Sequence, residues 1–459
     1  MFDSALLRRY DQPGPRYTSY PTAPQFREGF GAAQRRMAAL HSNEDPIPRQ
    51  LSLYVHVPFC TSPCFYCGCN RVITRDRSRA APYVARVIRE AAMLAPLFDR
   101  DRKVVQLHFG GGTPNFLDVG QLAELIDSLE QLFNFSRSPL RDFSIELDPR
   151  CVDAAGIAAM AQAGLNRVSL GVQDFDPDVQ QAVNRVQSVG QTLAVIEACR
   201  RHGMRAVNVD LIYGLPKQTP ERFARTLDQV LAARPDRVAV YGYAHLPQTF
   251  RPQRQIRAAD LPGADARIAL LALTIERLTG AGYRHIGMDH FALPDDDLAV
   301  AQTRGDLHRN FMGYTTHAEC DLVGLGVSAI SQLGDSYSQN PRDLPQWETQ
   351  VDDGRLPCWR GLQLDDDDRL RAWIIQRILC EGEVSIAALE DRFKIDFARY
   401  FSADLARLQA LAQDRLVELG DGYIRATARG RLLLRVVCAC FDRYLHHECP
   451  APGRFSSMV

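Results

Sequence analysis

What most narrows the folds open to this chain is a sixfold alternation of strand-like and helical runs in which the first five strands each have one polar face. The strand-like runs are 51–57 (LSLYVHV), 104–110 (VVQLHFG), 142–148 (DFSIELD), 167–173 (RVSLGVQ), 206–214 (AVNVDLIYG) and 237–246 (RVAVYGYAHL). Between them lie amphipathic stretches such as 81–98 and 219–233, so the pattern predicts repeated βα units and a parallel sheet. Alternate residues of a strand point to opposite faces. Phe143, Ile145 and Leu147 oppose Ser144, Glu146 and Asp148; Val207, Val209 and Leu211 oppose Asn208 and Asp210. Parallel strands covered by helices on both faces read as nearly continuous apolar runs, and these do not. The expectation is an α/β fold, an incomplete (β/α)6-type barrel with helices outside and a polar, ligand-filled hollow; an open sheet with one solvated face is the alternative. Functional groups then gather at the carboxyl ends of the strands. Glu146, Gln173 and Asp210 lie in or near the later half of their strands, and a GGGTP turn (Gly110–Pro114) follows the second.

Three segments are expected. Residues 1–50 form an arm rich in turn formers, with Tyr17 and Tyr20 as packing anchors. Residues 51–345 form the partial barrel, with an edge element at 285–293 and a loop-rich stretch over 294–345. Residues 346–459 form a smaller, mainly helical domain, possible as a winged helix, with a ribbon at 422–430 and a last helix over 431–445. The run Asp365–Asp368 reads as a helix start favouring negative charge.

The net charge is −1, which gives no sign of a nucleic-acid partner. No signal-like start and no apolar run of membrane-spanning length is evident, so a cytoplasmic chain is expected. Its 12 cysteines are then thiols or ligands, not disulfides. Eight of them (Cys151, Cys199, Cys320, Cys358, Cys380, Cys438, Cys440 and Cys449) have no metal-site spacing and read as core or surface residues.

The other four, Cys60, Cys64, Cys67 and Cys69, fall within ten residues just after the first strand. A loop of this kind can curl three thiolates around a cubane cluster, each on a different iron. The remaining iron would lack a protein ligand, and an open metal position marks a reactive site. One intervening residue leaves Cys69 little chain with which to reach another corner; it reads as a neighbour of the cluster, with a fourth ligand as the alternative. Structural zinc would join two separated ligand pairs, and no second pair follows.

C-x3-C-x2-C with the following βα array and GGGTP resembles the radical S-adenosylmethionine (SAM) enzymes. More narrowly, GPRYTSYPTA, YVHVPFC, CFYCGCN, SIELDPR, SLGVQDF, NVDLIYGLP, IGMDHFALP, LHRNFMGYTT and ARGRLLLRVVCACFDRYL are similar to the oxygen-independent coproporphyrinogen III oxidases. That resemblance spans nearly the whole chain. It implies one [4Fe-4S] cluster on Cys60, Cys64 and Cys67, and two SAM molecules. Around the first the matching positions are Tyr54, Gly111, Glu146 and Ile330. Around the second they are Tyr66, Gly112, Thr113, Gln173, Arg185, Asp210 and Ala244. Tyr54 and Cys69 are expected to be catalytic. The implied reaction is oxidative decarboxylation of two propionates of coproporphyrinogen III to vinyl groups, with an unidentified electron donor and acceptor, in a chain acting as a monomer. Arg16, Arg167 and Arg309 are candidates for the substrate carboxylates. A radical-SAM-like haem carrier without dehydrogenase activity is the competing reading.

Overall fold

The structure is a computed structural model, and it describes residues 4–318 and 320–447; Cys449 lies outside them. The six expected strands form: β1 (Gln50–Val57), β2 (Lys103–Gly111), β3 (Asp142–Leu147), β4 (Arg167–Gln173), β5 (Ala206–Tyr213) and β6 (Arg237–Gly242). They pair in parallel in the order β6-β5-β4-β3-β2-β1. The crossover helices start where small polar side chains accept the free amides of the first turn. Asp118 Oδ1 accepts from Gln121 N at 2.8 Å before Val119–Leu132, and Asp153, Ser188 and Thr219 cap Ala154–Gln162, Val189–Arg201 and Pro220–Ala233 in the same way.

The alternation of burial follows the sequence. Leu53, Val55, Leu107, Ile145, Leu170 and Val209 are all within the apolar core under the helices. Tyr54, His108, Ser144, Glu146, Ser169 and Asp210 point the other way and are only partly buried. In-register pairing stacks them: Tyr54 sits beside His108, His108 beside Ser144, and Glu146 beside Ser169. The hollow is therefore polar by construction.

The sheet does not end at six strands. The expected edge element is an antiparallel hairpin of β7 (Arg284–Gly287) and β8 (His290–Ala292), and β8 pairs with β6. The stretch expected to be loop-rich, 294–345, instead carries a helix (Asp297–Arg304) and several short strands. β9 (Cys320–Leu325) runs parallel to β1 on its far side, and β10 (Ile330–Leu333), β11 (Ser336–Gln339) and β12 (Arg360–Gln363) continue the sheet antiparallel. Glycines and Asp335 gave this stretch a loop-like composition, but Gly326 and Gly334 occupy left-handed turns between strands. The last expected strand is shorter than read, ending at Gly242, so Ala244 belongs to the loop that follows it.

Two cores exist. The barrel core takes in Leu344, Trp347 and Val351 from helix Leu344–Asp352. The second core is built on helix Asp366–Glu381 and a three-stranded sheet of Glu383–Ser385, Val417–Gly420 and Tyr423–Ala426, and it also takes in Leu7, Tyr17, Tyr20 and Ile268. We propose dividing the chain near Gln363, not at 346, because β12 still pairs with β11. Asp365 caps Asp366–Glu381 by accepting from Asp368 N at 2.8 Å, the helix start read from sequence. The single last helix expected over 431–445 is broken at Cys440–Asp442. There Asp442 Oδ1 accepts from Tyr444 N and Leu445 N and begins a new turn.

The arm is tied to both cores. Arg35, fully buried, donates to Asn340 Oδ1, Pro357 O and Gly324 O, beside the buried Glu90. Tyr17 donates to Asp442 at 3.0 Å, and the Tyr20 hydroxyl accepts from Arg443 N at 3.0 Å, placing both tyrosines in the second core.

Candidate active site

The cysteine loop leaves the carboxyl end of β1 and returns as a two-residue strand, Val72–Ile73, paired with Phe59–Cys60. Thr113 Oγ1 donates to Cys60 Sγ at 3.3 Å, and Arg185 Nη1 donates to Cys64 Sγ at 3.5 Å. Arg71 reaches the carbonyls of Cys64, Cys67 and Cys69 and holds the loop closed. Cys60, Cys64, Cys67 and Cys69 all line one cavity with Tyr66, Gly111, Gly112, Thr113, Glu146, Gln173, Arg185 and Asp210. Tyr54, Ala244 and Ile330 lie outside that lining. A second cavity, deeper in the barrel, meets the first at Glu146, Ser169 and Asp210.

The glycine turn makes the approach possible. Gly111 has φ +116°, and a Cβ there would lie 2.7 Å from the His56 ring; a Cβ on Gly112 would lie 2.6 Å from Pro58 O. Gly111 N donates to Glu146 Oε2 at 3.3 Å, and Glu146 also meets His108 Nε2 at 3.3 Å. The Glu146 side chain is still 46% exposed, so its carboxylate faces open space in the hollow. Tyr54 stands over His108, ring centroids 5.9 Å apart. His56 Nε2 lies 2.9 Å from the carbonyl of Asn70, which can only accept, so Nε2 carries the proton and Tyr54 donates to Nδ1 at 3.1 Å. Gly324 pairs with Tyr54 across the β1–β9 seam, and β10 carries Ile330 beside Gly324.

Gln173 closes β4 with φ +69° at a break in register against β5. Asp210 accepts from Ser169 and Asn208 at 2.6 and 2.8 Å, and burial pushes its carboxyl up to about 6. Arg185 is buried, and its terminal nitrogens already serve Asp148 Oδ2 (3.2 Å), Gly171 O (2.5 Å) and Cys64. Its fork is thus engaged with the protein. One residue that sequence reasoning missed is Gln253. Its amide donates to Tyr66 O at 2.9 Å and Ala244 O at 3.0 Å, joining the cysteine loop to the segment after β6. Nothing in its local sequence, RPQRQI, signals this.

The donor set suits an iron–sulfur cluster. A hydrogen bond from Cys69 holds the Cys67 thiol down to about 6, while burial pushes Cys60 up to about 11, a shift that a bound cation reverses. Among the described residues no three His, Cys, Asp or Glu side chains form a single-ion site; a cubane instead takes each thiolate on a separate iron. In the deeper cavity the buried Asn208 Oδ1 and His290 Nδ1 have no partner.

Of the arginines considered for substrate, Arg167 is buried at the amino end of β4 and paired with Asp142 and Asp297, away from the cysteine loop. Arg309 donates to Tyr17 O at 2.8 Å and fastens the arm. Arg16 is exposed and donates to Gly242 O at 3.2 Å, at the carboxyl end of β6. Arg435 holds the preceding backbone through Gly14 O and Pro15 O.

Comparisons with known proteins match the Radical SAM superfamily over residues 54–230 and the HemN C-terminal domain over 364–433. The chain is 52% identical over 444 residues to the oxygen-independent coproporphyrinogen III oxidase of Pseudomonas aeruginosa, covering 97% of this chain and 96% of that protein. It is 46% identical over 447 residues to that of Escherichia coli, with the same coverage. The solved structure of coproporphyrinogen III oxidase (HemN) from Escherichia coli, described as a radical SAM enzyme, superposes with a TM-score of 0.91 at 45% identity. It covers 97% of this chain and 99% of that one.

Proposed function

The chain belongs to the oxygen-independent coproporphyrinogen III oxidase family of radical SAM enzymes, and on that premise we propose how its residues divide the work. The enzyme converts two propionate side chains of coproporphyrinogen III to vinyl groups, giving protoporphyrinogen IX in porphyrin biosynthesis. Each propionate gives up one hydrogen atom, one electron and carbon dioxide. The cofactors are a [4Fe-4S] cluster and SAM, which when bound supply one-electron cleavage of a sulfonium bond and a carbon radical able to take that hydrogen atom.

In this proposal Cys60, Cys64 and Cys67 hold the cluster, and Cys69 stays a neighbour that tunes Cys67 through its hydrogen bond. Gly111, Glu146, Tyr54 and Ile330 receive the first SAM. Glu146 pairs with its ammonium, and the Tyr54–His56–Asn70 chain keeps Tyr54 oriented. A second SAM is held by Tyr66, Gly112, Thr113, Gln173, Arg185, Asp210 and Ala244. Arg185 acts there chiefly by fixing Cys64 against Asp148. Arg16, at the barrel mouth, meets a substrate carboxylate through a charge-assisted hydrogen bond. As further parts of the proposal, the enzyme works as a cytoplasmic monomer with a separate electron donor and acceptor. No helix among the described residues is long and apolar enough to cross a membrane.

The observation that carries this reading is the shared cavity: four cysteines of one loop facing Glu146 and Asp210 across a glycine turn. The test is an anaerobic assay with coproporphyrinogen III, SAM and dithionite. Vinyl product with 5′-deoxyadenosine supports it; 5′-deoxyadenosine without vinyl product contradicts it.

A further inference from the structure

An electron that reaches the cluster must cross the outer side of the cysteine loop, because the inner side faces the Glu146–Asp210 hollow. On the outer side the two-residue strand Phe59–Cys60 pairs with Val72–Ile73, with Cys60 opposite Ile73, and Thr74 N donates to Cys60 O at 2.9 Å. Ile73 is 43% exposed. A single hydrogen bond therefore links the backbone of a cluster ligand to a solvent-facing strand.

That strand runs into a basic segment. Residues 71–79 carry four arginines (Arg71, Arg75, Arg77 and Arg79) against one aspartate, Asp76, a local excess of three positive charges in a chain of net charge −1. Arg71 is engaged with the loop carbonyls, and Asp76 is engaged in accepting from Ser78 N and Oγ at 3.0 and 2.6 Å. Arg75, Arg77 and Arg79 are exposed. Arg77 lies over the Phe116 ring at 4.4 Å and donates to Phe116 O, and Arg79 lies over the Phe59 ring at 5.5 Å; the two rings pack 5.0 Å apart, which fixes both arginines beside the Cys60 strand. A pre-positioned basic rim around an exposed apolar side chain is how transient electron-transfer surfaces steer an oppositely charged partner.

We propose that the face formed by Ile73, Arg75, Arg77 and Arg79 is the docking surface for an acidic one-electron carrier protein that reduces the cluster through Cys60. This rests on the reading that Cys60, Cys64 and Cys67 hold the cluster. Partner charge follows from the excess of arginine; a neutral or basic carrier gains nothing from this rim.

The probe is a reduced flavodoxin, an acidic one-electron flavoprotein, mixed with the holoenzyme. Two quantities are measured: its dissociation constant by calorimetry, and the rate of cluster bleaching in stopped flow. The triple charge reversal Arg75→Glu, Arg77→Glu, Arg79→Glu is expected to weaken binding by about tenfold or more and to slow bleaching by flavodoxin in step. Arg75→Glu alone, an exposed change, is expected to weaken binding about threefold. Wild-type binding is expected to weaken as salt rises from about 0.05 M to 0.3 M. Reduction by dithionite, which needs no docking, should stay within about twofold in both variants. Binding of the triple variant within about twofold of wild type overturns the proposal, as does wild-type binding without salt dependence. If the triple variant loses its cluster, Arg75→Glu decides the matter. Failure of the cluster assignment itself would show separately, as absence of dithionite-reducible iron in the wild type.

Discussion

The His56 ring lies 2.7 Å from the point that a Cβ on Gly111 would occupy, and Gly111 holds a φ of +116° that L side chains rarely adopt. Gly111→Ala therefore meets both a clash and backbone strain. A loss of about 1–3 kcal/mol in folding stability is expected from urea unfolding. His56→Ala in the same chain should recover part of the steric loss and none of the backbone loss, so the two effects will not add.

Gln253 is the second position where one substitution should act out of proportion to its place in sequence. Gln253→Leu leaves the carbonyls of Tyr66 and Ala244 and the amide of Leu246 without their partner. A stability cost of about 1–3 kcal/mol is expected, because buried polar groups lose their partner. The cysteine loop should also loosen, read as faster loss of iron to a chelator than in wild type.

Asp210 sets a pH dependence with a definite sign. Its carboxyl titrates near 6 in the folded chain against 3.8 ordinarily, chiefly because of burial. The group is thus most favourable to the fold when protonated; that contribution is complete below about pH 4 and is lost as pH rises through about 6. Asp210→Asn should flatten the stability profile over this window by about 1–2 kcal/mol, allowing for partial solvation. A profile that stays unchanged would show that Asp210 titrates elsewhere.

The cysteines separate by iron content. Cys60→Ala, Cys64→Ala and Cys67→Ala are each expected to purify anaerobically with little iron, and Cys69→Ala to keep it while turning over more slowly. Arg185→Gln should keep iron too. It removes the donor to Cys64 Sγ and Asp148, so a changed spectrum of the reduced cluster is expected in place of cluster loss.

Much of this was legible because strand chemistry is local. The period-two alternation of Ser144, Ile145, Glu146 and Leu147 announces a half-polar strand before any packing is known, and the cysteine spacing announces a loop with a metal task. The rest depended on partners far away in sequence. β9 pairs with β1 across some 270 residues, and its Gly324 looks like a turn residue until it is seen to pair with Tyr54. Gln253 is an ordinary polar residue until the fold brings Tyr66 and Ala244 to its amide. Arg167 read as a free cation because its carboxylate partners, Asp142 and Asp297, are not its neighbours in the chain.

The central claim is that three thiolates leave one iron free for SAM beside Glu146. It is tested most directly by electron paramagnetic resonance of the dithionite-reduced holoenzyme with and without added SAM. A shift of the cluster signal on adding SAM, preserved in Cys69→Ala, is what the account predicts. A signal indifferent to SAM, or one that responds only after Cys69 is removed, would mean that Cys69 closes the fourth corner.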